Sequence, residues 1–570
     1  MEDSPAPAIS PDYVPTIPNM LAFVAEAYGG KIALQKGGRS LTFAELEDLS
    51  ALFARGLLAK GVSKGWRVGL LLPNSPEFVA LFMAVTRIGA TIIPLSTLYK
   101  ARELLWVMKN SDMHYLIIAD KYLRHDYVSR LEEAMPNLAG QLADHILLGD
   151  VPYLRSITVW SDTCDRSWAS KGPFTLIEAA EHCAEIDTEF LKAVESSVVP
   201  ADPMCMIYTS GSTANPKGVV HLQGNMIRHT YQMGFDYWPF SKEDSYASSR
   251  PFFWVAGLSA TLFHGLHTGA TLVIPETSSP AEIRELIDNQ LITGVSGTAA
   301  WVETLNVSEE FADGKYRLYR LNNDCAGVVE KAEEGFKFLS SALSNLTKGS
   351  TFPLPGNRIP KTFGMTEMLG AHSTEPAPAL IPEEKTGANG RGIPGVIRKV
   401  IDPETGAPVP PGSFGELCVG GYSLMAGIYK KERSETFEPD GLYRTGDLCA
   451  IDEDGYLTFK SRIGEMLKVS GANVAPLEVE ACLNEMPEIE TSAVVGIPKP
   501  DGDTLLVAAV TLRGTLQIGE ESVIDRLSNL LSSFKVPKHI FFLTANDLPV
   551  TGSGKIKKAD LVTLLAKKLS

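Results

Sequence analysis

The chain has 570 residues, 44% of them hydrophobic and 21% charged, enough apolar material for a large core divided over more than one domain. Its 52 basic and 68 acidic residues leave a formal charge of -16, which excludes nucleic acid as a partner because neutralising phosphates needs a basic face. Seven scattered cysteines without a C-x-x-C pair exclude a disulfide framework and a zinc ribbon.

In chain order, residues 1–18 carry five prolines and little periodicity, and read as a surface arm. The acidic start lacks the basic-then-apolar pattern of a secretory leader, and the final K-K-L-S is not the peroxisomal S-K-L address, so a cytoplasmic protein is expected. A helix fits 20–28, a hairpin fits 31–34 with 41–43, and a hydroxyl-capped helix starts at Thr42 and runs toward Leu58. Next come a strand at 68–72, a Pro73-Asn74-Ser75 turn, a helix at 77–88 and a strand at 91–94. Apolar strands return at 115–119 and 146–148. This alternation predicts an α/β fold with ligands at strand ends.

Residues 208–221 read Y-T-S-G-S-T-A-N-P-K-G-V-V-H and follow the apolar strand 204–207. Thr209, Ser210, Ser212 and Thr213 offer hydroxyl donors, Gly211 lets backbone N–H groups face an anion, and Lys217 adds a charge after Pro216. Such a loop suits a polyphosphate. It is not a P-loop, because Gly218 follows the lysine where that pattern needs a hydroxyl. The string resembles the signature loop of the adenylate-forming superfamily, which includes acyl-CoA synthetases, nonribosomal-peptide adenylation domains and firefly-type luciferases. Ala214 replaces one glycine of the usual T-S-G-[S/T]-T-G-x-P-K-G.

A helix is expected over 221–237; the spacing of His221 and His229 there does not suit a metal site. The stretch P-F-F-W-V-A-G-L at 251–258 is similar to the family's P-x-F-H-x-x-G, which lines the acyl pocket. The resemblance therefore gives Trp254, Val255 and Gly257 to that pocket, with Trp254 standing where many members have His. The most apolar stretch, 254–266, is too short to span a bilayer, so no integral membrane association is expected. Strands at 271–274 and 292–296 follow, with Gly297 and Trp301 as a further pocket edge. For the glycine-rich adenine loop two candidates stand, Cys325-Ala326-Gly327 and Pro355-Gly356-Asn357.

T-F-G-M-T-E at 362–367 is similar to the family's Y-G-x-T-E. There Phe363 can stack on adenine, Gly364 allows close approach, Thr366 can reach the α-phosphate, and the Glu367 carboxylate can hold Mg²⁺. Y-R-T-G-D at 443–447 matches the ribose-binding motif and makes Asp447 the ribose ligand. Residues 459–474 resemble the segment between the two domains, with Arg462 reaching ribose or phosphate and Gly464 at the hinge position; Glu465 or Lys460 are substitutes for that hinge role. Ser470, Gly471 and Ala472 would line the CoA channel. A small α+β domain follows, with a helix from 476, strands at 491–496 and 505–512, a helix at 518–531 and a strand at 539–543. It ends in P-V-T-G-S-G-K at 549–555, similar to the family's P-x-T-x-S-G-K, whose lysine is Lys555.

The resemblance implies an α/β enzyme with a large N-terminal domain of several subdomains built on parallel-type sheets (19–461), a hinge at 462–466 and a small mobile α+β domain (467–570). It implies catalysis by Thr366, Glu367 and Lys555, Mg²⁺ as cofactor, and ATP, CoA and a small carboxylic acid as partners. The acid would be apolar: a medium- or long-chain fatty, aromatic or alicyclic acid. The alternatives are a stand-alone adenylation enzyme that loads carrier-protein phosphopantetheine, and a nucleotide-binding homologue without catalysis.

Overall fold

The computed structural model describes residues 9–569 except 162, 210–214, 334, 349–353, 464–466, 500–502, 515, 545–546 and 550–555. Two eight-stranded sheets dominate the N-terminal part. In one, Pro203–Thr209, Thr91–Pro94, Arg67–Leu71, Tyr115–Ala119, Ser156–Trp160 and Ser170–Gly172 run parallel, and Lys217–Leu222 and Gly427–Ile428 close one edge antiparallel. In the other, Ile32–Lys36, Thr271–Val273, Ser245–Ser248 and Gly294–Ser296 are parallel neighbours. The helix Pro76–Arg87 is apolar nearly all round and packs against strands of both sheets, which is how such a sequence buries every face.

Two expectations need correction. Residues 146–148 form no strand; the strand that pairs with Tyr115–Ala119 is Ser156–Trp160. The expected helix at 221–237 starts later, because His221 belongs to the strand Lys217–Leu222; the helix is Gln223–Gln232, continued by the wider turns Met233–Tyr237. The end of the N-terminal arm is tied down: Ile17 is buried and its N–H donates to Gln223 Oε1 at 2.9 Å.

A smaller antiparallel sheet of Val396–Ile401, Gly415–Gly421, Tyr443–Ile451 and Leu457–Arg462 follows. The C-terminal unit has its own three-stranded sheet, Ile489–Pro498, Thr504–Leu512 and His539–Phe542, flanked by the helices Pro476–Asn484, Glu520–Leu530 and Lys558–Leu569. Its two apolar clusters share no residue with the large N-terminal core, so each part has its own hydrophobic interior. Among the described residues no helix is long and apolar enough to cross a membrane.

Five histidines lie inside the N-terminal part. His221, His229, His264, His267 and His372 are all buried. Burial pushes their imidazoles far below the ordinary 6.5, to about 4 for His221 and about 3 for His229, His267 and His372.

Candidate active site

The strands Pro203–Thr209 and Lys217–Leu222 form a hairpin in which Thr209 pairs with Lys217, so the sheet holds the two ends of the hydroxyl-rich loop side by side. Ser210, Gly211, Ser212 and Thr213 lie outside the described residues. Lys217 Nζ reaches Glu367 Oε1 at 2.5 Å and donates to Tyr443 Oη at 2.9 Å, while Tyr443 Oη donates to Glu367 Oε1 at 3.3 Å. Three segments remote in sequence thus converge on one charge-assisted triangle.

Burial would raise the Glu367 carboxyl, but the Lys217 charge and hydrogen bond outweigh it and hold the group below its ordinary value; Arg462 acts in the same direction. Burial would lower Lys217, and the Glu367 charge with the hydrogen bonds to Glu367 and Tyr443 reverses that too, so its ammonium is held well above its ordinary range. The partners agree in sign: the pair is ionised.

The backbone around Glu367 is fixed on both sides. His221 Nε2 donates to Thr366 O at 2.8 Å, and the Met425 N–H donates to Glu367 O at 2.8 Å. The strand Phe363–Met365 turns through Thr366–Met368 and returns as Gly370–Thr374. Gly364 lies so close to this returning strand that a Cβ there would overlap the Gly370 carbonyl. The glycine of the G-x-T-E motif is thus required by strand pairing. Phe363 lies 5.2 Å from the Phe459 ring and 5.4 Å from His372.

Asp447 sits opposite Arg462 in the pair of strands Tyr443–Ile451 and Leu457–Arg462. Arg462 Nε contacts Asp447 Oδ1 at 3.1 Å, and its Nη2 donates to Thr445 O at 3.1 Å. Burial raises the Asp447 carboxyl, and Arg462 offsets this only in part. Tyr443 and Asp447 lie on one strand whose ladder shifts register between them, Glu416 pairing with Leu448 and Cys418 with Arg444, and Gly446 at the shift has a φ of 73°. Its place at the head of the Y-R-T-G-D motif is the signal that would have added Tyr443 to the site from sequence.

A cavity of about 190 Å³ opens at the seam between the two parts of the chain. Thr209, Thr366, Trp254 and Val255 line it from the N-terminal side, and Gly471, Ala472, Asn473 and Phe534 from the C-terminal side. Trp254 meets Phe534 edge-on, with ring centroids 6.4 Å apart and planes at 88°. Phe534 had no motif to mark it in the sequence.

Other expected residues fall elsewhere. Gly257 packs so tightly against Pro251 O that its role is close backbone approach. Gly297 lies against the Trp301 ring, and Trp301 packs on a core cluster with its Nε1 donating to Ser278 O at 3.4 Å, away from the seam cavity. Ser470 takes a φ of 49° and its N–H donates to Asp503 Oδ1 at 2.7 Å. Cys325, Ala326 and Gly327 are interior residues of the strand Cys325–Ala332, while Gly356–Arg358 is a short 3-10 turn. Of the hinge candidates, Lys460 lies over the Phe414 ring at 4.9 Å. Gly464, Glu465 and Lys555 lie outside the described residues.

Among the described residues no group of three or more His, Cys, Asp or Glu is arranged to hold a metal ion. A single buried carboxylate, Glu367, beside a lysine suits a Mg²⁺ that arrives on the phosphates of ATP, because that ion keeps most of its ligands from water and phosphate.

The profile of the AMP-binding enzyme family matches residues 21–429, and that of the AMP-binding enzyme C-terminal domain matches residues 478–555. Acyl-CoA ligase SID4 of Ajellomyces capsulatus is 28% identical over 91% of this chain and 85% of its own length. Among solved structures, o-succinylbenzoate CoA synthetase from Bacillus subtilis, bound with a product analogue, superposes with a TM-score of 0.68 at 21% identity, covering 95% of this chain and 98% of that one. Amide bond synthetase McbA from Marinactinospora thermotolerans gives 0.71 at 21% identity, covering 96% and 99%. These structures share the α/β fold with its small C-terminal domain, and the profile spans most of the chain: the protein belongs to the AMP-binding enzyme family of the adenylate-forming superfamily, among homologues that are acyl-CoA ligases and synthetases.

Proposed function

We propose that the protein is an AMP-forming ligase that activates an apolar carboxylic acid with Mg·ATP and passes the acyl group to the thiol of CoA. The observation that carries this reading is the seam cavity. It joins Thr209 and Thr366, on the phosphate side, to the aromatic wall at Trp254 and to the backbone of Gly471–Asn473. In the first step a carboxylate oxygen attacks the α-phosphorus, the bond to the bridging oxygen breaks, and pyrophosphate leaves with the electron pair. The carboxylate is already a nucleophile, so the protein's work is positioning and charge neutralisation.

Lys217 is held cationic by Glu367 and Tyr443, and Thr366 sits on a backbone pinned by His221; both suit phosphate oxygens. Asp447 suits the ribose hydroxyls, Phe363 the adenine, and Lys555 completes the first step as part of a C-terminal lid (467–570) that turns about 462–466. In the second step the thiol sulfur attacks the acyl carbon, AMP leaves with the electrons of the acyl–oxygen bond, and the thiol proton passes to water. The thiol would enter beside Gly471 and Ala472, whose small side chains leave the seam open.

The test is pyrophosphate release over acids from C2 to C16 and benzoate-type and alicyclic acids, with and without CoA. Sustained turnover only with CoA, with thioester and AMP accumulating, supports the ligase. A single burst unaffected by CoA overturns it in favour of a carrier-protein or amine acceptor.

A further inference from the structure

Beside the seam cavity, a lysine of the C-terminal unit is buried between two carboxylates. Lys535 Nζ lies 2.8 Å from Glu103 Oε1 and 2.7 Å from Glu478 Oε1, and all three side chains are 4–6% exposed. Glu478 belongs to the helix Pro476–Asn484, in the same C-terminal unit as Lys535. Glu103 belongs to the helix Ala101–Asn110 of the N-terminal part. Its second oxygen accepts from Ser532 Oγ at 2.8 Å and from the Lys100 N–H at 3.0 Å, and Ser532 Oγ also approaches Leu98 O at 3.2 Å. At the rim, Arg102 makes a two-pronged bond to Glu485, at 2.7 and 2.8 Å, in the open.

We infer that the Glu103–Lys535 contact is a register pin: it holds Phe534 and Gly471–Asn473 against Trp254 for the thiol-transfer step and takes no part in adenylation. This rests on the two-step reading above. An apolar seam of the same size would resist reopening. A buried ion pair has a different balance: its burial cost nearly cancels its attraction, and its ions regain water on separation, so it selects one geometry while adding little to overall affinity. Lys535 keeps Glu478 as partner when the parts separate, so opening strands no unpaired ammonium. Phe534 is next to Lys535 in sequence, so the pin acts directly on the wall that faces Trp254.

The experiment uses Lys535→Met, Glu103→Gln and Lys535→Arg in the full chain, with two half-reactions and one acceptor-independent readout. ATP–pyrophosphate exchange reports adenylation, single-turnover transfer from pre-formed acyl-adenylate to CoA reports the second step, and hydrogen exchange reports amide protection in the helix Ala101–Asn110. For Lys535→Met, which leaves two carboxylates face to face, exchange should stay within about twofold of wild type while transfer falls at least about tenfold. Helix protection should fall with it. Glu103→Gln should act in the same direction and less strongly, and Lys535→Arg should recover transfer. A parallel loss of both half-reactions, or unchanged helix protection in Lys535→Met, overturns the pin. A wild-type enzyme that exchanges pyrophosphate but never acylates CoA overturns the ligase reading instead, and helix protection then decides the pin alone.

Discussion

Lys217 and Asp447 share a site but respond oppositely to their surroundings, and this separates their predicted phenotypes. Lys217→Ala should slow adenylation about 10²–10³-fold, as loss of a preorganised charge does, with pyrophosphate exchange as the assay. Tyr443→Phe removes one hydrogen bond to that ammonium and should cost about tenfold in the same assay. The pH dependence follows from the two carboxylates. Glu367 is held below its ordinary value, so its contribution is present above the ordinary carboxylate range and lost only as pH falls below it. Asp447 is raised by burial, so on acidification from neutrality it takes its proton first. The KM for ATP should therefore climb on the acid side of neutrality while Glu367 is still ionised. In Asp447→Asn the KM should be high throughout and lack that limb; a limb that persists in the variant would remove Asp447 from nucleotide binding.

At the scale of elements, two motif glycines are explained by backbone approach. Gly364→Ala would drive a methyl into the Gly370 carbonyl and Gly257→Ala into the Pro251 carbonyl, while Gly427→Ala meets nothing. The first two should destabilise by about 1–3 kcal/mol, read as a fall in thermal midpoint, and the third should be neutral. The same packing shows what was legible in the sequence. The parallel strands around Thr91–Pro94 and the largely apolar helix Pro76–Arg87 were readable because continuous apolar runs admit one environment, the middle of a layered α/β core. The hairpin that holds Thr209 beside Lys217 was half readable: its first strand was plain, but His221 in the second was assigned to a helix, because K-G-V-V-H-L flows into helical periodicity without a cap or break. Residues 146–148 mimic a strand by composition alone, and the pairing edge was already committed to Ser156–Trp160. Phe534 and Lys535 were invisible for another reason: a cross-domain contact leaves no periodicity in either partner.

For the whole molecule, separate cores in the N- and C-terminal parts predict unfolding in more than one step, because little apolar surface is shared between them. Calorimetry should show two resolvable transitions, and a single transition with equal calorimetric and van't Hoff enthalpies would contradict this. The five buried histidines set a further limit, on acidity. Burial holds His221 at about 4, His229, His267 and His372 at about 3, and His264 well below its ordinary value, while the unfolded chain takes up a proton below about 6.5. Depressed folded values mean that this stabilisation is complete above 6.5 and drains as pH falls, by about 1.4 kcal/mol per histidine per pH unit. All five act in the same direction, so their losses reinforce one another as the pH falls. The urea midpoint should fall as the pH is lowered from about 7 to about 5, and a flat midpoint across that interval would refute the neutral-histidine reading. An interior built this way makes acid a denaturant in its own right: each proton that the unfolded chain accepts and the fold refuses pulls the equilibrium toward unfolding.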